Sequence, residues 1–247
     1  LEVVKELNEM LVARVLKRGS RISVGDGVTL IEKGSSQSVT KSRRVVHATR
    51  VSSGPSIDGN LNEAAWSEAT PVKGLVQRDP NYWMPSSEET VVLIIYDEKS
   101  IYFGFECTLP DTTSGVVANN MRRDSDIFGD DNIQIMLDTY NDRQNGFFFF
   151  VNPLGAQSDL LLSNEGRTYN LDWDCNWVSR TQRYPDRWTA EVAIPFSQLR
   201  FKQSDEMTWG INLSRYDARK NEASQLVVGL QSSSPTERYR MSDIAEL

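Results

Sequence analysis

Histidine is nearly absent from the sequence, since His47 is the only one in 247 residues. A histidine-rich zinc site is therefore excluded, and so is a histidine-based nucleophilic triad unless His47 serves it. Cysteine is also scarce, with only Cys107 and Cys175. These two residues could form one disulfide in a secreted protein, but two small buried side chains are the favoured interpretation.

Long apolar runs and concentrated basic charge are missing as well. No run of apolar residues has the length of a membrane-spanning helix, and no signal peptide is visible. Acidic residues outnumber basic ones by 34 to 27, which gives a net charge of −7. Nucleic-acid binding needs a concentrated basic surface, whereas this sequence has only short basic pairs such as Arg43-Arg44. Nucleic acid is therefore not an expected partner.

The first 44 residues differ in character from the rest of the chain. Residues 1–18 place apolar side chains at helical spacing, namely Val3, Val4, Leu7, Met10, Leu11, Val15 and Leu16. This spacing predicts an amphipathic helix that ends near Gly19. Residues 19–44 are rich in glycine, serine and lysine, a composition typical of a linker.

Residues 45–247 have the pattern of one β domain. The segment 132–139 alternates apolar and polar residues, and TVVLIIYD at 90–97 is apolar on both faces, as expected of a central strand. About ten strands with short connections predict an all-β fold, an antiparallel β-sandwich of jelly-roll or immunoglobulin-like type. One short helix is expected to end near Trp66.

An acidic stretch precedes and opens the strand at 132. Oxygen-bearing side chains recur within nine residues there, at Asp124, Asp126, Asp130, Asp131 and Asn132. Calcium takes six to eight oxygen ligands, and Gly129 would let the backbone turn tightly enough to direct several of them at one ion. The alternative is a solvated loop in which the aspartates cap turns.

Acid–base catalysis is a second possible role for the aspartates. A glycan hydrolase or lyase needs two carboxyl groups facing one bond. The candidates for such a pair are Asp131, Asp138, Asp159, Asp172 and Asp174. The sequence gives no sign that one of these acids lies in an apolar pocket, which would raise its pKa.

Two loops carry aromatic residues among polar ones, the combination that suits sugar binding. RDPNYWM at 78–84 contains Trp83, and TYNLDWDCNW at 168–177 contains Tyr169 and Trp173. The predicted ligand-binding set joins these aromatics to polar side chains: Trp83, Trp173, Tyr169, Arg122, Asp131, Asn152 and Asp172. The alternative for Trp173 is that it covers one end of the sandwich.

Five stretches occur in one order along the chain: IDGNLNEAAW at 57–66, the strand ending Tyr96-Asp97 with IYFGFEC after it, RRDSDIFGDDNIQIMLDT at 122–139, FFFFVNPLGAQSD at 147–159 and RWTAEVAIPFSQLRF at 187–201. Together they resemble the carbohydrate-binding module family 9-like domain found at the N-terminus of large bacterial outer-membrane-associated proteins. The resemblance implies a β-sandwich over residues 45–247, and several relatives hold structural calcium, which favours a metal in the acidic stretch. The founding modules hold sugar ends between two tryptophans.

From this resemblance we expect a non-catalytic carbohydrate-binding module, stabilised by calcium, in the periplasm, at the cell surface or outside the cell. A polysaccharide-degrading enzyme remains the first alternative. The second is a structural domain that docks a membrane barrel or another protein partner, and the amphipathic segment 1–18 favours it. Distantly similar sandwich domains bind haem, a role that would need methionine with histidine or lysine ligands in one pocket.

Overall fold

A computed structural model describes residues 2–7, 10–14, 44–110, 115–202, 204, 207–229, 240–241 and 244–247. The chain divides into two units, Leu1–Arg44 and Val45–Leu247. Within the described ranges, no helix is both long and apolar enough to cross a membrane.

The first unit contains strands where the sequence predicted a helix. β1 (Glu2–Leu7) pairs antiparallel with β2 (Met10–Arg14). The β-branched residues Val3, Val4 and Val12 favour extended backbone over helix, and this preference competes with the helical spacing of the apolar residues. The remainder of the predicted helix and the predicted linker up to residue 43 lie outside the described residues.

The second unit is built almost entirely of strands. Its elements in chain order are β3 (Thr49–Arg50), α1 (Ala64–Ser67), β4 (Val76–Asp79), β5 (Thr90–Tyr96), β6 (Ser100–Thr108), β7 (Asn132–Asp138), β8 (Gly146–Val151), β9 (Gln157–Ser163), β10 (Thr168–Asn170), β11 (Val178–Arg183), β12 (Arg187–Pro195), a 3₁₀ turn (Phe196–Gln198), β13 (Gly210–Asp217), β14 (Glu222–Gln225) and β15 (Ala245–Glu246). The predicted β-sandwich and the short helix at Trp66 are confirmed.

Two sheets form the sandwich. The eight-stranded sheet has the order β10-β9-β8-β7-β13-β14-β4, and β15 pairs with the start of β13. The five-stranded sheet has the order β11-β12-β6-β5-β3. All strand pairs are antiparallel except β3 with β5. The strand order of the eight-stranded sheet makes neighbours of strands that are far apart in sequence, such as β4 and β14.

The core between the sheets follows the alternation seen in the sequence. Ile133, Ile135 and Leu137 of β7 point inward and are fully buried, as are Phe103 and Phe105 of β6. Alternate side chains of a strand point to opposite faces, so Gln134 and Met136 point outward. Met136 is nevertheless buried, because it clusters with Phe148 and Phe150 of the neighbouring β8 and with Ile127, Met241 and Ile244 from segments outside the sheet strands.

Glu191, on the outer face of the five-stranded sheet, binds the segment IDGN at 57–60 and α1 through hydrogen bonds. This fully buried carboxylate accepts hydrogen bonds from the backbone N–H groups of Asp58 and Gly59, both at 2.7 Å, and from Trp66 Nε1 at 2.8 Å. Gly59 has a φ of 96°, a conformation that side-chain-bearing residues rarely adopt.

Two predicted strands differ from the structure, whereas the favoured interpretation of the two cysteines agrees with it. The sequence RVVHATRV at 44–51 predicts a strand, which the structure limits to Thr49–Arg50, and QLVVGL at 225–230 predicts a strand that lies earlier, at Glu222–Gln225. Cys107 and Cys175 are free and buried. Burial raises the pKa of Cys107 to about 11 and that of Cys175 to about 12, so both thiols stay protonated near neutral pH.

Candidate functional site

A pocket of about 310 Å³ lies on the outer face of the eight-stranded sheet. Its wall and floor come from four adjacent strands, β7, β13, β14 and β4, and from the loops that follow or precede them. The residues that line it are Arg78, Asp79, Pro80, Phe128, Gln134, Ser214, Arg215, Tyr216, Asn221, Ala223 and Gln225. Only one of them, Asp79, carries a carboxylate.

The floor of the pocket is a row of polar side chains across three strands. Ser214 of β13 pairs with Gln134 of β7 on one side and with Gln225 of β14 on the other. The three residues are 5%, 7% and 6% exposed. Gln134 Nε2 donates to Asn132 Oδ1 at 2.8 Å, whereas no described residue forms a hydrogen bond with the Ser214 hydroxyl or the Gln225 side-chain amide. Neither group is among the fully buried unpaired polar atoms of the described residues, so both face the pocket and are open to a bound ligand.

Two aromatic rings flank this floor. The Phe128 side chain is 46% exposed and packs edge-on against Phe150, with ring centroids 5.1 Å apart. Tyr216 donates its hydroxyl hydrogen to Asn221 Oδ1 at 2.7 Å. The pocket therefore combines apolar ring surfaces with uncharged hydrogen-bonding groups.

The charged side chains of the pocket already interact with protein groups. Arg78 Nη1 lies 4.0 Å from Asp79 Oδ2. The Arg215 guanidinium is directed toward the end of the five-stranded sheet, where it donates to the carbonyl oxygens of Thr108 at 2.7 Å and Glu89 at 3.3 Å. The polar groups with open hydrogen-bonding capacity on the floor are thus neutral.

The acidic stretch that the sequence analysis singled out organises loops beside this pocket. The Asp130 carboxylate accepts hydrogen bonds from the backbone and side-chain nitrogens of Asn119, both at 3.0 Å, from Asn120 N at 3.2 Å and from Asn152 Nδ2 at 2.9 Å. Asn152 Oδ1 in turn accepts from the backbone of Leu154 and Ala156. Asn152, predicted to bind ligand, is fully buried and committed to this network.

The neighbouring carboxylate of Asp131 faces other donors. It accepts hydrogen bonds from the backbone N–H groups of Val117 and Ala218, both at 2.7 Å. Burial raises the pKa of Asp131 despite these two bonds. Asn132 donates to the carbonyl oxygens of Ile127 and Asp130, and its Oδ1 accepts from Gln134.

The five predicted calcium ligands therefore do not fit one ion. The oxygens of Asp130, Asp131 and Asn132 are directed at different N–H donors, while Asp124 and Asp126 are exposed. Asp130 and Asp131 lie just before β7 and accept hydrogen bonds from different segments, Asn119-Asn120 for the first and Val117 and Ala218 for the second, so a short spacing in sequence did not produce convergence. The alternative interpretation, aspartates that order turns, describes this segment correctly.

Among the residues that the structure describes, carboxylates converge elsewhere, in two groups of three. Asp124, Asp159 and Asp174 bring oxygens within 4.8 Å of one another, but the Arg123 guanidinium contacts all three. The second group comprises Asp58, Glu63 and Glu191. Within the described part of the chain, Glu63 Oε2 is buried without a hydrogen-bond partner.

The predicted aromatic platform does not form. Trp83 follows β4, whereas Trp173 packs against Phe147 and Phe149 of β8, with ring centroids 5.2 and 6.2 Å away. Three strands separate β8 from β4, a span of about 19 Å at the usual strand spacing. Trp173 covers the edge of the core, which was the alternative interpretation.

The other predicted ligand-binding residues also lie away from the pocket. Tyr169 is on β10, at the far edge of the eight-stranded sheet, and Asp172 and Arg122 are exposed on loops. None of the five aspartates considered for catalysis lines the pocket. Phe128 and the floor residues were not among the predicted site residues; the polar positions within apolar strands, at Gln134 and Ser214, were the available signal.

Comparison with known proteins agrees with the fold. Residues 57–242 match the family model described as carbohydrate family 9 binding domain-like. No curated protein matches the chain. Two similar solved structures are a family 9 carbohydrate-binding module from Caldicellulosiruptor kristjanssonii in complex with cellotriose and one from the same organism in complex with glucose.

The cellotriose complex has 16% identity and a TM-score of 0.58, with 83% of this chain and 92% of that chain covered. The glucose complex has 16% identity and a TM-score of 0.57, with coverages of 81% and 94%. A candidate carbohydrate-binding protein from Bacteroides uniformis has 12% identity and a TM-score of 0.66, with coverages of 83% and 98%. These likenesses concern the fold, and the family model covers most of the sequence. The chain belongs to the carbohydrate family 9 binding domain-like family.

Proposed function

We propose that this protein is a carbohydrate-binding module whose ligand occupies the pocket on the outer face of the eight-stranded sheet. The observation that carries the proposal is the floor row: Gln134, Ser214 and Gln225 are more than nine-tenths buried, and two of them have no hydrogen-bond partner among the described residues. The polar atoms of Ser214 and Gln225 face the pocket and reach solvent there, so a ligand rich in hydroxyl groups can replace water as their hydrogen-bond partner.

The flanking aromatic rings suit the apolar C–H faces of a sugar. A pyranose ring exposes C–H groups on its faces and hydroxyls around its edge, so a binding site combines flat aromatic surface with polar groups. Phe128 and Tyr216 supply the rings, and the floor amides supply donors and acceptors. Two structurally similar modules are bound to cellotriose and glucose, which makes these sugars the first ligands to examine.

Calorimetric titration with glucose, cellotriose and a panel of other sugars tests this function. In the Gln225→Ala variant, loss of one or two hydrogen bonds should weaken affinity about tenfold. The matched control is Gln182→Ala, which removes an exposed glutamine from β11 on the other sheet. Equal binding by wild type and Gln225→Ala, or no saturable heat with any sugar, would contradict the proposal.

We also propose a structural calcium site, at the Asp58, Glu63 and Glu191 group. The buried Glu63 Oε2 has no donor and supports this position, while the Glu191 oxygens, which accept hydrogen bonds from Asp58, Gly59 and Trp66, would bind the ion with their remaining lone pairs. Burial raises the pKa of Glu191, a cost of ionisation that a bound divalent ion would offset. The ion would hold the turn at Asp58-Gly59 against α1.

Thermal denaturation in calcium and in a chelator tests this site. The wild-type midpoint should be higher in calcium, Glu63→Gln should lose the difference, and Asp130→Asn should keep it, since Asp130 belongs to the acidic stretch that does not fit an ion. Identical wild-type midpoints in the two solutions would refute the site.

A further inference from the structure

The ring of Phe128 stands at the tip of a turn whose backbone is fixed on both sides. Asp130 N donates to Ile127 O, and Phe128 N donates to Asp126 Oδ1, both at 3.2 Å. The Ile127 side chain is fully buried, while Phe128 is 46% exposed. The turn therefore anchors one side chain in the protein and presents the next one to the pocket.

Asn120 links the two ends of this turn from a separate loop. Its Nδ2 donates to Asp126 O, before the tip, at 2.8 Å and lies 3.5 Å from Asp130 Oδ2, after the tip. Its backbone N–H also donates to the Asp130 carboxylate at 3.2 Å. A single side-chain amide thus spans the base of the turn that carries Phe128.

Asp130 also stabilises the turn that carries Phe128. Its carboxylate accepts hydrogen bonds from Asn119, Asn120 and Asn152. The segments that contain residues 119–120, 130 and 152 therefore meet at one residue that is 2% exposed. A buried carboxylate with several N–H donors holds those donors in fixed positions. Neither Asn120 nor Asp130 lines the pocket.

We propose that Asn120 and Asp130 are positioning residues for sugar binding, which fix Phe128 as one wall of the pocket without touching the ligand. This inference rests on the proposed function. It assigns the FGDDN segment a role distinct from metal binding: the acids order the turn, and the turn orients the ring. Pre-ordering a wall of the pocket lowers the entropic cost of binding.

A double-mutant cycle between Asn120 and Phe128 tests the positioning role. Phe128→Ala should weaken glucose or cellotriose binding about tenfold, and Asn120→Ala about threefold. Because Asn120 acts through Phe128, the double variant should bind no more weakly than Phe128→Ala alone. Additive losses would mean that Asn120 contacts the ligand directly, and would overturn the proposal.

Asn145→Ala is the matched control, because it removes the same kind of bond from the turn at the other end of β7, where Asn145 Nδ2 donates to Asp142 Oδ2 at 3.0 Å. This variant should bind sugar as tightly as the wild type. A loss equal to that of Asn120→Ala would show that any weakened turn reduces binding, which would also overturn the proposal.

Amide hydrogen exchange separates this inference from the proposed function. Asn120→Ala should accelerate exchange at Phe128 and Asp130 in the absence of any sugar, and Asn145→Ala should not. Unchanged exchange at these amides would refute the support that Asn120 gives to the turn. A wild-type protein that binds no sugar would refute the proposed function and the sugar-binding role of Phe128, while exchange would still decide whether Asn120 holds the turn.

Discussion

At the scale of single residues, the pocket depends on side chains whose partners were not apparent from their neighbours in sequence. Tyr216 and Asn221 illustrate this. Asn221 has a φ of 49°, in the left-handed region, and this turn conformation brings its Oδ1 within 2.7 Å of the Tyr216 hydroxyl. The hydrogen bond fixes the orientation of a ring that lines the pocket.

Removing either partner of this bond should weaken sugar binding about threefold. Asn221→Gly is a clean change, since glycine adopts a positive φ without strain and only the acceptor is lost. Tyr216→Phe removes the donor, and the double variant should match the single ones in a calorimetric cycle. Asn164→Gly, at a turn residue with a φ of 54° away from the pocket, serves as control and should leave affinity unchanged.

Asp130 gives a second prediction at this scale, concerning pH. Burial opposes its ionisation, but the hydrogen bonds from Asn152, Asn119 and Asn120 together outweigh burial, and the pKa of Asp130 lies below its ordinary value. Its contribution to stability is therefore present above the unfolded pKa of about 4, and is lost as the pH falls through the lower folded pKa. The stability difference between wild type and Asp130→Asn should shrink below about pH 4 in urea denaturation.

Asp138 provides the opposite case for comparison. Burial raises the pKa of Asp138 in spite of its bonds from the backbone of Arg143 and Asp142. Its contribution to stability is therefore greatest at low pH and is lost as the pH rises through the folded pKa. The free energy of unfolding of wild type minus that of Asp138→Asn should fall as the pH rises. The corresponding difference for Asp130→Asn should grow as the pH rises, and a change in the same direction for both differences would contradict this account.

At the scale of elements, Arg123 connects the loop before β7 to β9 and to the segment before β11. Its guanidinium contacts Asp159, whose side chain is fully buried, and donates to Asp174 Oδ1 at 3.2 Å and Cys175 O at 2.9 Å. Asp159 also accepts from Cys175 N and Trp177 Nε1. One cation thus neutralises the acids that join three parts of the chain.

Arg123→Gln should destabilise the fold by about 2 kcal/mol, because it leaves Asp159 buried without a counter-charge while two N–H donors remain. The measurement is the free energy of unfolding in urea. Arg167→Gln is the control: Arg167 pairs with Glu165 at 3.3 Å and is 48% exposed, so its loss should cost less than about 0.5 kcal/mol. Equal effects of the two changes would disprove the special role of Arg123.

The elements themselves were largely predictable from sequence, whereas the site was not. Period-two alternation in 132–139 identified β7 and its inward face correctly, because burial on one face leaves a direct signature. β4 and β14 carry polar residues and were missed or displaced. Gln134, Ser214, Gln225 and Asp79 meet only because β7, β13, β14 and β4 are neighbours, and this strand order cannot be read from the order of the chain.

At the scale of the whole molecule, some partly exposed aromatic residues pack on the core, whereas others border the pocket. Trp173 and Phe128 are both partly exposed, yet Trp173 packs on Phe147 and Phe149 of the core, whereas Phe128 borders the pocket. The two rings therefore contact different parts of the molecule. The sequence placed Trp173 in the predicted ligand-binding set, because partial coverage of a core leaves no distinct pattern in the sequence.

Exchanging either ring for alanine should separate the two roles. Trp173→Ala should lower the free energy of unfolding by about 2 kcal/mol, through lost burial, and leave sugar affinity unchanged. Phe128→Ala should weaken binding and have a smaller effect on stability. Calorimetry and urea denaturation on both variants check the pattern, and the reverse pattern would restore Trp173 as a ligand-stacking residue.

The absence of tryptophan from the lining of the pocket has a practical consequence. The six tryptophans of the chain lie elsewhere, and only phenylalanine and tyrosine provide rings at the pocket. Intrinsic tryptophan emission should therefore barely change when the pocket fills, although such fluorescence is the usual quick assay for sugar-binding proteins. A silent fluorescence titration would say nothing against occupancy of this pocket, and heat or nuclear magnetic resonance of Tyr216 would be the signal to follow.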